Sequence, residues 1–310
     1  MSQPTDRLTL LTTFTRIAER GSISAAARDL GLSQASASRQ LAALEERLGA
    51  RLIIRTTHDL SLTEAGRACL LDARSILSGW EALTERVDEG SDVTPRGRIT
   101  VVAPVALGQL ALAKNAADFL AIHPGVSLRW LLDDRPVRMA EVGADLWLKV
   151  GDVPDDTLVV RALGQIERLV VATAELLANG TLAHPTALES IPMIAIEPFE
   201  AARVPLVDQT GRKALVAARA AFSTDNIVAA RAAVISGAGW AVLPRWFVND
   251  ELASGHLVDV LPSWRAPTLT LNAALLPATR RPRRVTALTD HFAASVAAIA
   301  GILPPRGAQG

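Results

Sequence analysis

The stretch that most constrains this chain runs from Ser22 to Gly49, SISAAARDLGLSQASASRQLAALEERLG, two helical patterns joined by a short glycine turn. Ser33 precedes a strongly periodic segment, and its hydroxyl can accept a hydrogen bond from a first-turn N–H, so a helix starts at Gln34. Ala37, Leu41, Leu44 and Leu48 recur at steps of four, three and four, which places them on one buried face. Gln34, Ser36, Ser38, Arg39 and Arg47 remain for the surface. Before the turn, Ala25, Ala26, Ala27 and Leu30 form a short helix of small side chains. Gly31 ends it in a left-handed conformation, and Leu32 plugs the corner between the two helices.

The exposed start of the second helix offers short or bidentate groups. In a DNA major groove Gln34 can pair with adenine N6 and N7, Ser33, Ser36 and Ser38 with phosphates or bases, and Ala35 with a thymine methyl. The pattern reads as a helix-turn-helix. An ordinary helical hairpin, packed through the same small residues, is the alternative.

A chain of 310 residues fits two or three domains. Its formal net charge is zero, and residues 1–66 hold eight arginines against seven acids, so no bulk field draws it to nucleic acid or lipid. DNA affinity must come from where the arginines sit and from doubling in a dimer. Cys69 is the only cysteine, which excludes an intrachain disulfide and a cysteine metal cluster. The histidines are scattered without metal-ligand spacing, so neither a metal nor a cofactor is expected. MSQPTDRLTLLTTF lacks the basic start and unbroken apolar core of a signal peptide, and no apolar run reaches membrane-spanning length. The expected location is the cytoplasm, with no membrane partner.

Along the chain, Leu8 to Arg20 reads as a bracing first helix. Arg51 to Arg55 and Leu60 to Leu62 read as a two-stranded wing whose tip, from Arg55 and Thr56 to His58, can reach a minor groove; a solvated hairpin is the alternative. Thr63 caps a long helix from about Glu64 to Glu89. Cys69, Ala73, Ile76, Trp80, Leu83 and Val87 follow along it in coiled-coil spacing. Such a seam predicts a homodimer, although a helix folded on its own domain has the same pattern.

These residues resemble the N-terminal domain of the LysR-type transcriptional regulators. The shared pattern is Phe14, Gly21-Ser22, Ala26-Ala27, Leu30, Ser33-Gln34, Ser38-Arg39-Gln40, Leu44-Glu45, Leu48-Gly49, Leu52, Arg55 and Leu62-Thr63-Glu64-Ala65-Gly66. Ile53 stands where the family pattern has Phe. The resemblance implies that Gln34, Ala35, Ser36, Ser38 and Arg39 belong to the reading helix and Arg55 to the wing.

The expected division is a winged helix-turn-helix at 1–66, a dimerisation helix at 67–90, a hinge at 91–98 and an effector domain at 99–303, with 304–310 a disordered tail. Strands at Ile99–Ala103, Val126–Leu132, Asp145–Val150, Leu169–Ala172, Met193–Ile196, Ala220–Ser223, Trp240–Leu243 and Thr268–Leu276 alternate with helices. The helices are read at Val105–Ile122, Val137–Glu141, Glu175–Asn179, Asn226–Ser236 and Arg284–Ile299. That order implies parallel strands with right-handed crossovers. Lobe I is expected at 99–167 with 268–303, and lobe II at 168–267. The fold class is therefore multidomain: an all-α winged helix-turn-helix domain plus a bilobal α/β effector domain like that of periplasmic binding proteins. The phrases Ala103-Pro104-Val105 with Gly108, Asp145 to Gly151, Gly237 to Pro244 and Gly255 to Val258 carry the resemblance through the effector domain.

Effector contacts are expected where helix starts face the cleft, at Ala103, Pro104, Val105 and Ala106 and at Thr224 and Asn226, whose free N–H groups can hold a carboxylate. Lys149 can add a positive charge with Trp147 as an aromatic wall; alternatively Lys149 is a solvated strand end and Trp147 is core. Ala103, Val105 and Ala106 offer no hydroxyl where many family members have one, which favours an apolar or aromatic ligand. Enzyme readings fail for want of a nucleotide loop, a nucleophile elbow or a metal pair. A stand-alone solute-binding protein leaves the N-terminal domain unexplained. The implied function is ligand-modulated transcription regulation on double-stranded promoter DNA by a homodimer or homotetramer, with RNA polymerase a further partner if the protein activates.

Overall fold

Capped, periodic helices build the N-terminal unit. The computed structural model describes residues 6–55, 60–87, 94–177, 182–197, 199, 203–278 and 280–305. Helices α1 (Arg7–Arg20), α2 (Ile23–Asp29) and α3 (Gln34–Leu48) pack around Leu10, Phe14, Ile17, Ala26, Ala37 and Leu41. Ser22 and Ser33 accept hydrogen bonds from the N–H groups of Ala25 and Ser36 at 3.3 and 3.1 Å, as N-caps do. Gly31 takes a φ of +65°, and Leu32 donates back to the Ala27 carbonyl at 2.8 Å, closing the turn between the helices.

The wing is an antiparallel pair, β1 (Ile53–Arg55) and β2 (Leu60–Leu62). Its tip, with Thr56, lies outside the described residues. One carboxylate fixes how the wing leaves α3. Glu45 is 8% exposed, and its Oε1 accepts the N–H groups of Leu52 at 2.8 Å and Ile53 at 3.3 Å while Arg51 pairs with its other oxygen at 3.1 Å. Helix α4 (Glu64–Val87) follows, capped by Thr63, whose Oγ1 accepts the Gly66 N–H at 2.8 Å. It crosses the base of the wing so closely that a β-carbon on Gly66 would lie 2.0 Å from the Leu52 carbonyl oxygen.

The second part begins with β3 (Gly97–Ala103), whose first residues run ahead of the expected strand. The expected single helix after it is interrupted: α5 (Val105–Leu107) passes through a π turn at Gly108–Leu112 into α6 (Ala113–Ile122). By length and composition Val105–Ile122 would suit a membrane, contrary to the expectation that no run does. Its Leu107, Leu112, Ala116 and Phe119 enter the core with Ile99, Leu146 and Phe292. Next come β4 (Val126–Leu132), α7 (Met139–Val142), β5 (Leu146–Val150) and the 15-residue β6 (Val159–Thr173).

Beyond it lie β7 (Met193–Ile196), the hairpin of β8 (Arg203–Asp208) and β9 (Lys213–Ala217), β10 (Ala220–Thr224) and α8 (Ile227–Ile235). The chain continues through β11 (Ala241–Pro244), α9 (Arg245–Ser254), β12 (Leu257–Asp259), β13 (Trp264–Leu275), α10 (Arg283–Ser295) and β14 (Ile302–Leu303).

Three sequence expectations are corrected. Strands β3 with β4, β3 with β5, and β7 with β10 are parallel, but β13 pairs antiparallel with both β5 and β6, and β6 with β11. The reason is that β13 returns from the far lobe, so it enters the sheet from the opposite end. The strand expected to begin a second unit near Leu169 is the latter half of β6, which runs unbroken between lobes. A 3-10 turn at Ala174–Leu176 stands where a helix from Glu175 was expected, and residues 178–181 lie outside the described ones. The β8–β9 hairpin and α9 are additional elements.

The two long strands pair with each other from Val159 opposite Leu275 to Arg168 opposite Ala266, with register shifts between Leu271 and Asn272 and between Ala266 and Leu269. Pro267 supplies no ladder N–H there, and its carbonyl accepts the Arg168 Nε–H at 2.8 Å.

Removing the wing anchor by Glu45→Ala should cost about 2 kcal/mol, because two buried N–H groups lose a charged acceptor. Gly66→Ala should cost a comparable ~1–3 kcal/mol of overpacking against main chain that cannot step aside. Urea denaturation of the purified variants measures both; wild-type midpoints would contradict these contacts.

Candidate nucleic-acid interface and ligand cleft

The first turn of α3 is organised before any partner arrives. Ser33 Oγ–H donates to Ser36 Oγ at 2.9 Å, and an Arg39 guanidinium N–H donates to the same oxygen at 3.2 Å. Gln34, Ala35 and Arg39 are exposed, Ser36 and Ser38 half-buried, and Ala37 fully enclosed against the core. The candidate reading residues thus share one presented surface, Ser33 among them as the cap. Arg39 has no carboxylate partner among the described residues, so its charge remains available. Gln40, next to it in sequence, turns inward, where its Oε1 accepts the Thr13 hydroxyl and ties α3 to α1. Arg55 ends β1 opposite Leu60.

The apolar seam on α4 divides. Ile76, Trp80, Leu83 and Val87 are 39–77% exposed along one stripe. Cys69 and Ala73, expected in the same seam, instead face the chain's own reading head. Ala73 is buried with Phe14 and Leu70, and Cys69 packs beside them. The correction has a simple cause: α1 lies across the first half of α4, so the stripe is left uncovered only from Ile76 onward.

A cleft of about 590 Å³ opens where the carboxyl ends of β3, β4 and β5 meet lobe II. Pro104, Ala106 and Lys149 line it as expected from their positions, together with Arg168, Phe199 and Trp246. Ala103, Val105, Trp147, Thr224 and Asn226 are not on its wall. Ala103 is fully buried beneath it. Trp147 is core, packed with Val102, Met139, Leu158 and Ala274, so it forms no wall beside Lys149.

Both expected carboxylate-holding helix starts are already occupied. The Val105 N–H donates to Asp134 Oδ1 at 3.0 Å, and the side-chain oxygen of Asn226 takes the N–H groups of Val228 and Ala229 at 2.9 and 3.3 Å. Thr224 Oγ1 in turn accepts the Asn226 N–H at 3.0 Å.

Lys149 donates to the Asp134 carbonyl at 3.1 Å, and burial pulls its ammonium pKa below the usual lysine value, against the opposing pull of Asp134 and Asp133. Arg135 forks onto Asp133 through two bonds of 3.0 Å, which hold that carboxyl below its ordinary range. Five carboxylates and three cations line the cleft, so it lacks the positive excess expected of an anion trap. Its missed aromatic wall, Trp246, sits at the start of α9. The signal was Pro244, which cannot continue a strand and suits a helix entry.

Replacing Trp80 by Glu should disrupt any pairing through the exposed stripe. The loss of buried apolar surface is about 1.5–3 kcal/mol, roughly tenfold or more in dissociation constant. Sedimentation equilibrium checks this, and an unchanged assembly would show that the stripe is not the contact.

The chain matches two family models: the bacterial regulatory helix-turn-helix protein of the lysR family over residues 8–67, and the LysR substrate binding domain over residues 93–297. The transcriptional regulator PtxR of Pseudomonas aeruginosa is 30% identical over 293 residues, 90% of this chain and 89% of that one. The solved LysR-type regulator CrgA of Neisseria meningitidis is 26% identical with a TM-score of 0.55, covering 94% of this chain and 98% of that one. Full-length OxyR of Pseudomonas aeruginosa, only 16% identical, has the same fold, with a TM-score of 0.74 over 99% of this chain and all of that one. A winged reading head followed by a bilobal domain, matched along nearly its whole length, makes this chain a member of the LysR-type family of transcriptional regulators.

Proposed function

We propose that this regulator reads double-stranded promoter DNA through the first two turns of α3, as a dimer or dimer of dimers, and that a small molecule in the interlobe cleft sets its output. The observation that carries the reading is the pre-ordered surface of Ser33, Gln34, Ala35, Ser36, Ser38 and Arg39 at the free end of a helix whose opposite face is core. A recognition helix entering a major groove presents such an end. Arg55 and Thr56 are assigned to the wing contact on the neighbouring groove. Ile76, Trp80, Leu83 and Val87 are assigned to pairing with a second copy, which sets two heads on two half-sites.

The division of the chain into head, linker helix and effector domain follows, with lobe I at 99–167 and 268–303 and lobe II at 168–267. The register shift at Pro267 supports the latter boundary. A ligand that binds one lobe arrangement better than another shifts the population of arrangements, and the spacing of the heads with it. Between the two effector chemistries expected from sequence, the cleft favours an aromatic molecule over a simple carboxylate. Trp246 and Phe199 supply ring faces, and both helix starts are filled by Asp134 and Asn226. No catalytic step is assigned to any residue, the cytoplasm is the expected location, and RNA polymerase is a partner only if the protein activates.

The chain's own promoter region is the natural probe. In gel-shift titrations Gln34→Ala should lose about 1–3 kcal/mol of discrimination at one base pair. Arg39→Ala, if its contact is phosphate, should weaken all sequences alike and reduce the salt slope by about one. Equal losses for both on specific and random DNA would refute the assignment. In a thermal-shift screen aromatic compounds should raise the melting temperature, and Trp246→Ala should remove that gain; a gain unaffected by the substitution would move the effector elsewhere.

A further inference from the structure

A second cavity, of about 760 Å³, lies at the other end of the same strands, between the reading head, the linker helix and lobe I. The effector cleft is at the carboxyl ends of β3 and β5; this cavity is at their amino ends. In the parallel pairing of β3 with β4, Thr100 lies opposite Arg129, and Arg98 is two residues before Thr100, so all three share one sheet face. The other face, through Ile99 and Val101, belongs to the core. The head and linker helix roof the exposed face from above, through α1 and α4, and the loop ahead of α10 closes its side.

Six arginines and four carboxylates line the cavity. The carboxylates are largely spoken for. Glu19 takes both Arg16, at 2.9 Å, and Arg74, while Glu81 takes Arg284 at 2.6 Å. Asp145 accepts the Thr100 N–H at 2.7 Å, and burial raises its carboxyl pKa against the opposing pull of Arg284 and Arg74. Arg98, Arg129 and Arg281 have no carboxylate partner among the described residues. Arg281 reaches only the Leu276 carbonyl, at 3.0 Å, and burial lowers its pKa with no neighbouring charge opposing. The fourth carboxylate, Asp6, has no arginine partner among the described residues, so a formally neutral chain sets six guanidiniums against four carboxylates around one cavity, an excess of two positive charges at the junction of its two functional parts.

We propose that this cavity is a second ligand site, for a small phosphate-bearing anion that bridges the reading head to lobe I. Guanidiniums approaching from two strands and a loop suit an anion with oxygens on several sides, and phosphate offers them with charge to match. Binding would neutralise charge that the fold leaves open and tie α1 and α4 to β3 and β4, stiffening the joint that effector-driven motion must cross.

The test is calorimetric titration of the full-length protein with pyrophosphate, with sodium chloride of matched ionic strength as the blank. Ribose 5-phosphate separates esterified from inorganic phosphate, and citrate separates phosphate from carboxylate. One saturable site per chain is expected for a phosphate probe. Arg98→Gln and Arg129→Gln should each weaken it about tenfold or more, as loss of a charge-assisted hydrogen bond does. Lys114→Gln, on the exposed side of α6, should leave it unchanged. Arg98 is exposed, so its variant should fold as wild type does, and an unaltered melting temperature without ligand verifies that. No saturable binding above the chloride blank, equal binding of citrate, or undiminished binding by both arginine variants would overturn the proposal. None of these outcomes bears on DNA reading by α3.

Discussion

Everything in this molecule hangs on how the apolar stripe of α4 is covered. The helix is 24 residues long, and one copy of the chain covers the stripe only along its first half. There Leu70 and Ala73 enter the core of the reading head, and Gly66 lets the helix axis approach the wing at a distance no side chain permits. Past Ala73 the stripe of Ile76, Trp80, Leu83 and Val87 is exposed. Leaving four such side chains in water forgoes roughly half of the ~1.5–3 kcal/mol that each provides when buried. A single narrow stripe on a long helix finds its cover most simply on another copy of itself. The head's placement follows from the covered half of the stripe, and the pairing proposed above from the exposed half.

The same helix also joins the head to the effector domain within one chain. Ala140 of α7 lies in the core of the head, and Arg67 of α4 pairs with Glu141 at 3.4 Å. Farther along, Arg284 of α10 pairs with Glu81 and Glu85. The paired strands β6 and β13 then cross from lobe to lobe, with register shifts at Pro267 and between Leu271 and Asn272. A change in lobe angle therefore has a continuous packed route to the head.

Much of the reading head was legible because its signals are local. Ser33 caps, Gly31 turns left-handed, and Leu41 and Leu44 repeat at helical spacing. The role of Glu45 was not legible, since its partners at Leu52 and Ile53 exist only once the chain has folded back. Cys69 and Ala73 fit the seam by spacing, but spacing cannot say which neighbour covers a stripe. The lobes were harder. The antiparallel return of β13 depends on pairing across about a hundred residues, which no local pattern encodes. The β8–β9 hairpin was readable in principle, from buried Val204 and Leu206 alternating with exposed Arg203 and Pro205 before the Asp208-to-Gly211 turn. In the cleft, Lys149 was found from its strand end. Asp134 was missed because its capture of the Val105 N–H joins residues 29 apart.

The central claim is that two copies joined through α4 set two α3 helices on DNA. Hydroxyl-radical footprinting of the wild-type protein on its own promoter region tests it most directly. The expected pattern is two protected backbone segments on one face of the duplex, separated by about one helical turn, 10–10.5 base pairs, or a multiple of it. A single protected segment at saturating protein, or protection spread without period along the fragment, would contradict it.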